Sequence, residues 1–118
     1  MIQKSIRIGG ARGYWGHSAM AVPQLLAGGS LAFPVFHYLA EITMSMLARA
    51  RGRDPAAGYA TDFVTAALAP NLAAIAARGV RVISNAGGVN PIACGAAVRA
   101  LVEKAGLKLT VAVITGDD

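Results

Sequence analysis

Apolar positions along this chain switch between strand-like runs and helical spacing, and the switches mark out the elements. Ser5–Gly9 (SIRIG) reads as a short strand entering the glycine-rich turn GGARGYWG. A helix follows over Ser18–Ala27 and is ended by Gly28 and Gly29. Ala32–Leu39 is β-branched and aromatic and reads as a second strand, although Pro34 is unusual for a central one. Leu39, Ile42, Met46, Leu47 and Ala50 then recur at helical spacing until Gly52 and Pro55 stop the helix. Asp54–Ala60 spans roughly 20 Å when extended, enough to carry the chain back along that helix. Thr61 or Asp62 caps a further helix, Phe63–Arg78, which Gly79 terminates. Val80–Ser84 (VRVIS) is the clearest strand. NAGGVNP comes next, with Asn90 in the N-cap position and Pro91 in the first helical one. That helix ends near Ala105, and Leu107–Thr115 is a final strand before Gly116, Asp117 and Asp118.

Strands that alternate with helices predict an α/β fold: an open, three-layer, Rossmann-like arrangement with a mainly parallel sheet of about four strands. The chain of 118 residues makes one domain over 1–118, large enough to bury roughly two-thirds of its unfolded surface. The last strand is apolar at nearly every position, as in strands covered on both faces. A chain finishing on such a strand reads as a truncated piece that hides the surface by self-association, so a homo-oligomer is expected, most simply a dimer.

Composition narrows the class. The chain is 55% hydrophobic with a mean hydropathy of +0.52, and no full charge falls between Arg12 and Glu41. Pro23, Gly28, Gly29, Ser30 and Pro34 break that stretch before a membrane-spanning length accumulates. Met1–Arg12 has no apolar run of the signal-peptide kind, so the expectation is a cytoplasmic protein without a membrane role. The single cysteine, Cys94, rules out an intrachain disulfide and a multi-cysteine zinc knot. The net charge of +5 is scattered. Arg49, Arg51 and Arg53 close one helix, where cations suit the dipole. Lys4, Arg7, Arg81, Lys104 and Lys108 fall at strand starts or at the helix end feeding one. No nucleic-acid partner is expected from that layout.

GGARGYWG, FHYLAEITMSMLARARGRDPAAGYATDF, APNLAAIAARGVRVISNAGGVNP and TGDD together resemble the amino-terminal part of the acyclic terpene utilisation (AtuA) family. The resemblance runs over nearly the whole chain, and NAGGVNP and the LAE-TMS-LARAR stretch are its most specific parts. It implies an α/β fold, a chain cut short of the family's length, and a setting in bacterial acyclic terpene and acyl-thioester catabolism. Two departures stand out. His17 and His37 occupy places where the family favours acids, and Ala32 and Phe33 replace its Asp-Tyr pair.

The candidate chemistry gathers at one end of the expected sheet. His17, His37, Glu41, Asp62, Asp117 and Asp118 all follow strands or open helices, and in open α/β sheets ligands bind at that carboxyl end. Two imidazoles with nearby carboxylates suit a cation. His17, His37, Asp62, Asp117 and Asp118 are therefore candidate ligands for a divalent metal, zinc or manganese, although no HxH or HExxH spacing supports them. Metal-bound hydroxide would then hydrolyse an activated ester or phosphoester of a small-molecule substrate. Asn85, or the backbone N–H groups of Asn85–Val89, would stabilise developing charge. Glu41 and Cys94 complete the catalytic candidates. Cys94 sits in the first turn of a helix, which favours a thiolate, but it is also in phase with the apolar Val98, Leu101, Val102 and Ala105. Two other readings stand beside this one: a non-catalytic α/β domain that self-associates and binds an acyl or nucleotide ligand, and a metal-free acyl-thioester enzyme. Neither glycine-rich turn matches GxGxxG or the P-loop, so a phosphate cradle rests on tight-turn geometry alone.

Overall fold

Phe33–His37 (β2) occupies the middle of the sheet, and its neighbours explain why so short a strand is stable. A computed structural model describes residues 5–12, 18–28 and 32–116, with the side chains of Arg12, Ser18, Ala19 and Glu41 outside that description. Ile8–Arg12 (β1) pairs parallel to β2 on one side and Ile83–Ser84 (β3) pairs parallel to it on the other. Arg81 N–H donates to Ala32 C=O at 2.9 Å and Asn85 N–H to Phe36 C=O at 3.4 Å, extending the β3 pairing at both ends. The order β1-β2-β3 makes an open α/β sheet compatible with a Rossmann-like layout.

Among the described residues three strands form where four are expected. The backbone of Leu107–Gly116 joins no ladder among the described residues. It lies against the last helix instead. Arg99 Nη2 donates to Val111 C=O at 3.2 Å, and a Cβ on Gly95 would meet Val113 Cγ2 at 2.3 Å. Exposure along this segment alternates, with Leu107, Leu109, Val111 and Val113 half-buried and Lys108, Thr110, Ala112 and Ile114 exposed. One face packs against the helix and the other is exposed in the single chain.

β1 begins three residues later than the apolar run suggests. Its ladder, from Ile8 opposite Phe33 to Arg12 opposite His37, takes in both glycines of the expected turn. Pairing with β2 overrides the local preference of Gly9-Gly10 for a bend, the ordinary way in which tertiary context decides a strand. Helix α1 covers Ser18–Ala27 and α2 covers Glu41–Arg53. The expected single helix Phe63–Arg78 is divided. Pro70 has no N–H for the carbonyl of Ala66 and its ring would strike that carbonyl. The chain therefore opens into a wide π turn over Phe63–Leu68, tightens through a 3₁₀ turn at Ala69–Asn71, and resumes as α3, Leu72–Arg78. Asn71 Nδ2 donates to the Ala67 carbonyl at 2.9 Å within this break. Gly79 ends α3 in the left-handed conformation, φ 64°, as a C-cap glycine should. Pro91–Lys104 forms α4, capped by Asn90 as its sequence predicts.

The core lies on one face of the sheet. Ala11 and Phe36 pack with Val22 and Leu26 of α1 and with Phe63, Leu68 and Ile75 of the broken helical segment. Phe63 meets both Phe36 and Tyr38 edge-on, at ring distances of 5.5 and 5.6 Å, an arrangement that suits the aromatic quadrupoles. In a parallel ladder, registered residues share a face, and alternate residues share it too. Ile8, Phe33, Val35, Ile83 and His37 therefore lie on the opposite face. There Ile8 is 67% and Ile83 52% exposed, and a Cβ on Gly10 would meet nothing.

Candidate functional site

The carboxyl end of β2 and β3 is built around one amide. Asn85 follows β3 directly and its Oδ1 accepts from the backbone N–H of Tyr38 at 2.8 Å. A backbone N–H can only donate, so this bond fixes which end of the amide is oxygen. The other end, Nδ2, then faces His37 Nδ1 at 3.1 Å. Because Nδ2 carries only donors, Nδ1 must present its lone pair, and the neutral imidazole carries its proton on Nε2. His37 is exposed at the carboxyl end of the central strand, and it offers an N–H donor there. The alternation of β2 sends His37 to the open apolar face and its neighbours Phe36 and Tyr38 into the core.

The loop after β3 is fastened from several directions. Ala86 N–H donates to Ser84 Oγ at 3.0 Å, Gly88 N–H to Asn85 C=O at 3.2 Å, Val89 N–H to Gly58 C=O at 3.0 Å and Asn90 N–H to Gly87 C=O at 2.9 Å. With Asn85 N–H on Phe36, the Gly87 N–H is the one amide of residues 85–90 that holds no partner among the described residues. Of the backbone donors expected to stabilise charge at Asn85–Val89, the loop thus spends all but that of Gly87 on its own structure. A phosphate-binding nest at this turn loses its basis for the same reason.

Asn90 does more than cap α4. Its Oδ1 accepts from Ala93 N–H at 3.4 Å, while Nδ2 donates to Pro55 C=O at 2.9 Å and Ala57 C=O at 2.8 Å. A second clasp comes from α2. Arg51 donates to Val89 C=O, and a Cβ on Gly88 would meet Leu47 Cδ1 at 2.5 Å and Gly58 C=O at 2.7 Å. Leu47 and Arg51 stand one helical turn apart, so α2 lies along this loop and the segment after it stays beside the carboxyl end. Arg51, expected only to suit the end of its helix, thus also fastens the loop at the carboxyl end of the sheet. The latch escaped the sequence reading because Asn90-Pro91 alone explains a helix start. Gly88 and Gly58, both at positive φ, were its only local signal.

The remaining candidates divide. His17, Asp117 and Asp118 lie outside the described residues, as does the side chain of Glu41, whose backbone opens α2. Asp62 is half-buried, already helical at φ −66° and ψ −24°, and makes no capping hydrogen bond. Cys94 belongs to the core, and burial pushes its thiol up to about 11. It is therefore neutral near pH 7, and desolvation outweighs the helix dipole expected to activate it. Among the described residues no group of three or more His, Cys, Asp or Glu side chains gathers as a metal site would require. No described helix is long and apolar enough to cross a membrane.

Neither a curated protein nor a solved structure matches this chain. A family model does: that of acyclic terpene utilisation family protein AtuA, over residues 6–118. The segments that resemble the family, from β1 through NAGGVNP, are those that build the sheet and the Asn85 edge, and the chain belongs to the acyclic terpene utilisation (AtuA) family.

Proposed function

We propose that this chain is an acyl-binding α/β module, with His37 Nε2–H donating to an oxygen of the acyl head group. The observation that carries this reading is the Asn85 amide, held by Tyr38 N–H and facing His37 Nδ1. A second feature supports it. His37 shares its sheet face with Val35, Ile83 and Ile8, so the donor stands at the end of an exposed apolar strip with a side-chain-free gap at Gly10. An acyl chain laid on that strip removes apolar surface from water, at about 25 cal/mol per Å² buried. Its carbonyl or carboxylate oxygen meets the imidazole. A nucleotide suits the edge less well, because the loop donors a phosphate needs are already engaged.

Metal-assisted hydrolysis through His17, His37, Asp62, Asp117 and Asp118 asks something different of the same imidazole. A neutral histidine bound to metal through Nε2 carries its proton on Nδ1 and donates it to an acceptor. Asn85 presents a donor at that position, so metal binding at Nε2 requires the Asn85–His37 contact to break. The acyl reading leaves the contact intact.

Calorimetric titration with octanoate and with octanoyl N-acetylcysteamine thioester tests the proposal. The expected result is saturable binding that H37A weakens about fivefold to tenfold, the worth of one hydrogen bond, and that I83E weakens further. Absence of binding by either probe, or equal binding by wild type and I83E, contradicts it. Tight zinc binding that H37A abolishes supports the metal reading instead.

A further inference from the structure

Leu107–Gly116 is a strand in every respect except pairing. Its residues alternate between half-buried and exposed with the period of two that an extended chain has, and Leu109–Ile114 is all apolar or β-branched. Apart from Leu107 N–H on Val102 C=O and Val111 C=O under Arg99, its backbone groups hold no partner among the described residues. In an extended chain, the N–H and C=O of one residue point to the same edge, and successive residues point to opposite edges. The bond from Arg99 places the Val111 edge towards α4. Thr110, Ala112 and Ile114 therefore direct their N–H and C=O groups to the other edge, away from Arg99. Ile114 is also 92% exposed. An open edge with an apolar outer face is a template for another strand.

We infer that the edge formed by Thr110, Ala112 and Ile114 pairs with the same edge of a second copy of this chain, antiparallel about a two-fold axis. Charge selects both the partner and the direction. The sequence sets Lys108 ahead of the run and Asp117 and Asp118 behind it. Antiparallel self-pairing brings Lys108 of each copy towards the acidic end of the other, whereas parallel pairing opposes lysine to lysine and acid to acid. Cross-strand pairs of opposite charge are favourable and like pairs are not. Even-numbered residues oppose even-numbered ones in such a ladder, so the half-buried face of one segment continues into that of the other. The interface is isologous, as a two-fold dimer requires, and it is independent of the His37 edge.

Sedimentation velocity on the full chain at micromolar concentration provides the test, with A112P, I114K and K108E beside the wild type. Proline at 112 removes an N–H that the proposed ladder uses and that has no partner among the described residues. The wild type is expected to sediment as a dimer. A112P and I114K should weaken association by about tenfold or more, since two-fold symmetry removes each lost hydrogen bond twice. Their circular dichroism should stay that of the wild type. K108E should weaken the dimer at low salt and less at high salt. Should A112P fail to fold, I114K carries the test, because an exposed side chain there supports no core. A monomeric wild type overturns the inference, and so does a dimer that folded A112P or I114K leaves intact.

Discussion

At the scale of single residues, His37 and Asn85 show how a backbone donor can settle the chemistry of a surface imidazole. Tyr38 N–H orients the amide, and the amide orients the ring. Replacing Asn85 by alanine frees Nδ1 and leaves Tyr38 N–H unpartnered in a part-buried place, at a cost of about 1–3 kcal/mol. Chemical denaturation should show that loss, and the histidine should then populate both neutral tautomers. N85D keeps the acceptor for Tyr38 but places an acceptor against His37, so it should favour the Nδ1–H tautomer of the neutral ring. Cys94 gives a second residue-scale prediction. Its thiol should resist iodoacetamide at neutral pH until the protein unfolds, because the native state holds it neutral up to about 11. An unfolded thiol ionises from its ordinary value of 9.0. The unfolded state therefore releases its proton first as pH rises. This contribution to stability is full below pH 9 and is lost progressively between about pH 9 and 11. Melting curves of wild type and C94A across that range should diverge at neutral pH and converge at high pH. Parallel curves would show that burial at this site does not tune the thiol.

At the scale of elements, the loop after β3 is the joint that holds α2, the Asp54–Ala60 segment and α4 together. Asn90→Ala removes a cap and two hydrogen bonds to the Pro55 and Ala57 carbonyls, and should cost about 2–3 kcal/mol. Gly88→Ala forces a Cβ to within 2.5 Å of Leu47 at a φ of +55°, a left-handed position that alone costs about 1–2 kcal/mol. Gly10→Ala is the contrast, with open space around its Cβ, and should leave stability unchanged or raise it by a few tenths of a kcal/mol. Thermal or urea unfolding of the two glycine variants tests this directly, and equal behaviour would contradict the packing described for Gly88. The helices were legible where local chemistry decides them. Ser18–Ala27 and Pro91–Lys104 begin and end where caps and glycines place them. The strands were less so, because a parallel ladder is a property of two segments. Gly9-Gly10 reads as a turn until β2 is beside it, and Leu107–Thr115 reads as a ladder strand although it lies along α4. Pro70 was visible in the sequence, and its effect on Phe63–Arg78 follows from its missing N–H.

At the scale of the whole molecule, an open α/β sheet packs its core on one face and leaves His37, Val35, Ile83 and Ile8 together on the other. The carboxyl end of the sheet was legible as the candidate site because topology alone puts ligands there. The roles of its residues were not, since they depend on Asn85 meeting a chain segment 48 residues away. Residue type and position at the carboxyl end suggested a metal for His37, and the hydrogen bond to Asn85 is what favours the donor role proposed for it. The proposed acyl binding on the open face and the proposed dimer through Thr110–Ile114 use different surfaces, so I83E should weaken the first and leave the second unchanged. The most direct measurement is the tautomer of His37, read from long-range nitrogen–proton correlations of the imidazole in labelled protein at a pH where the ring is neutral. The Nε2–H form, with its Nε2 proton shifting on addition of octanoate, is the predicted result. An Nδ1–H ring, or an Nε2 signal that octanoate leaves unmoved and zinc displaces, would contradict it.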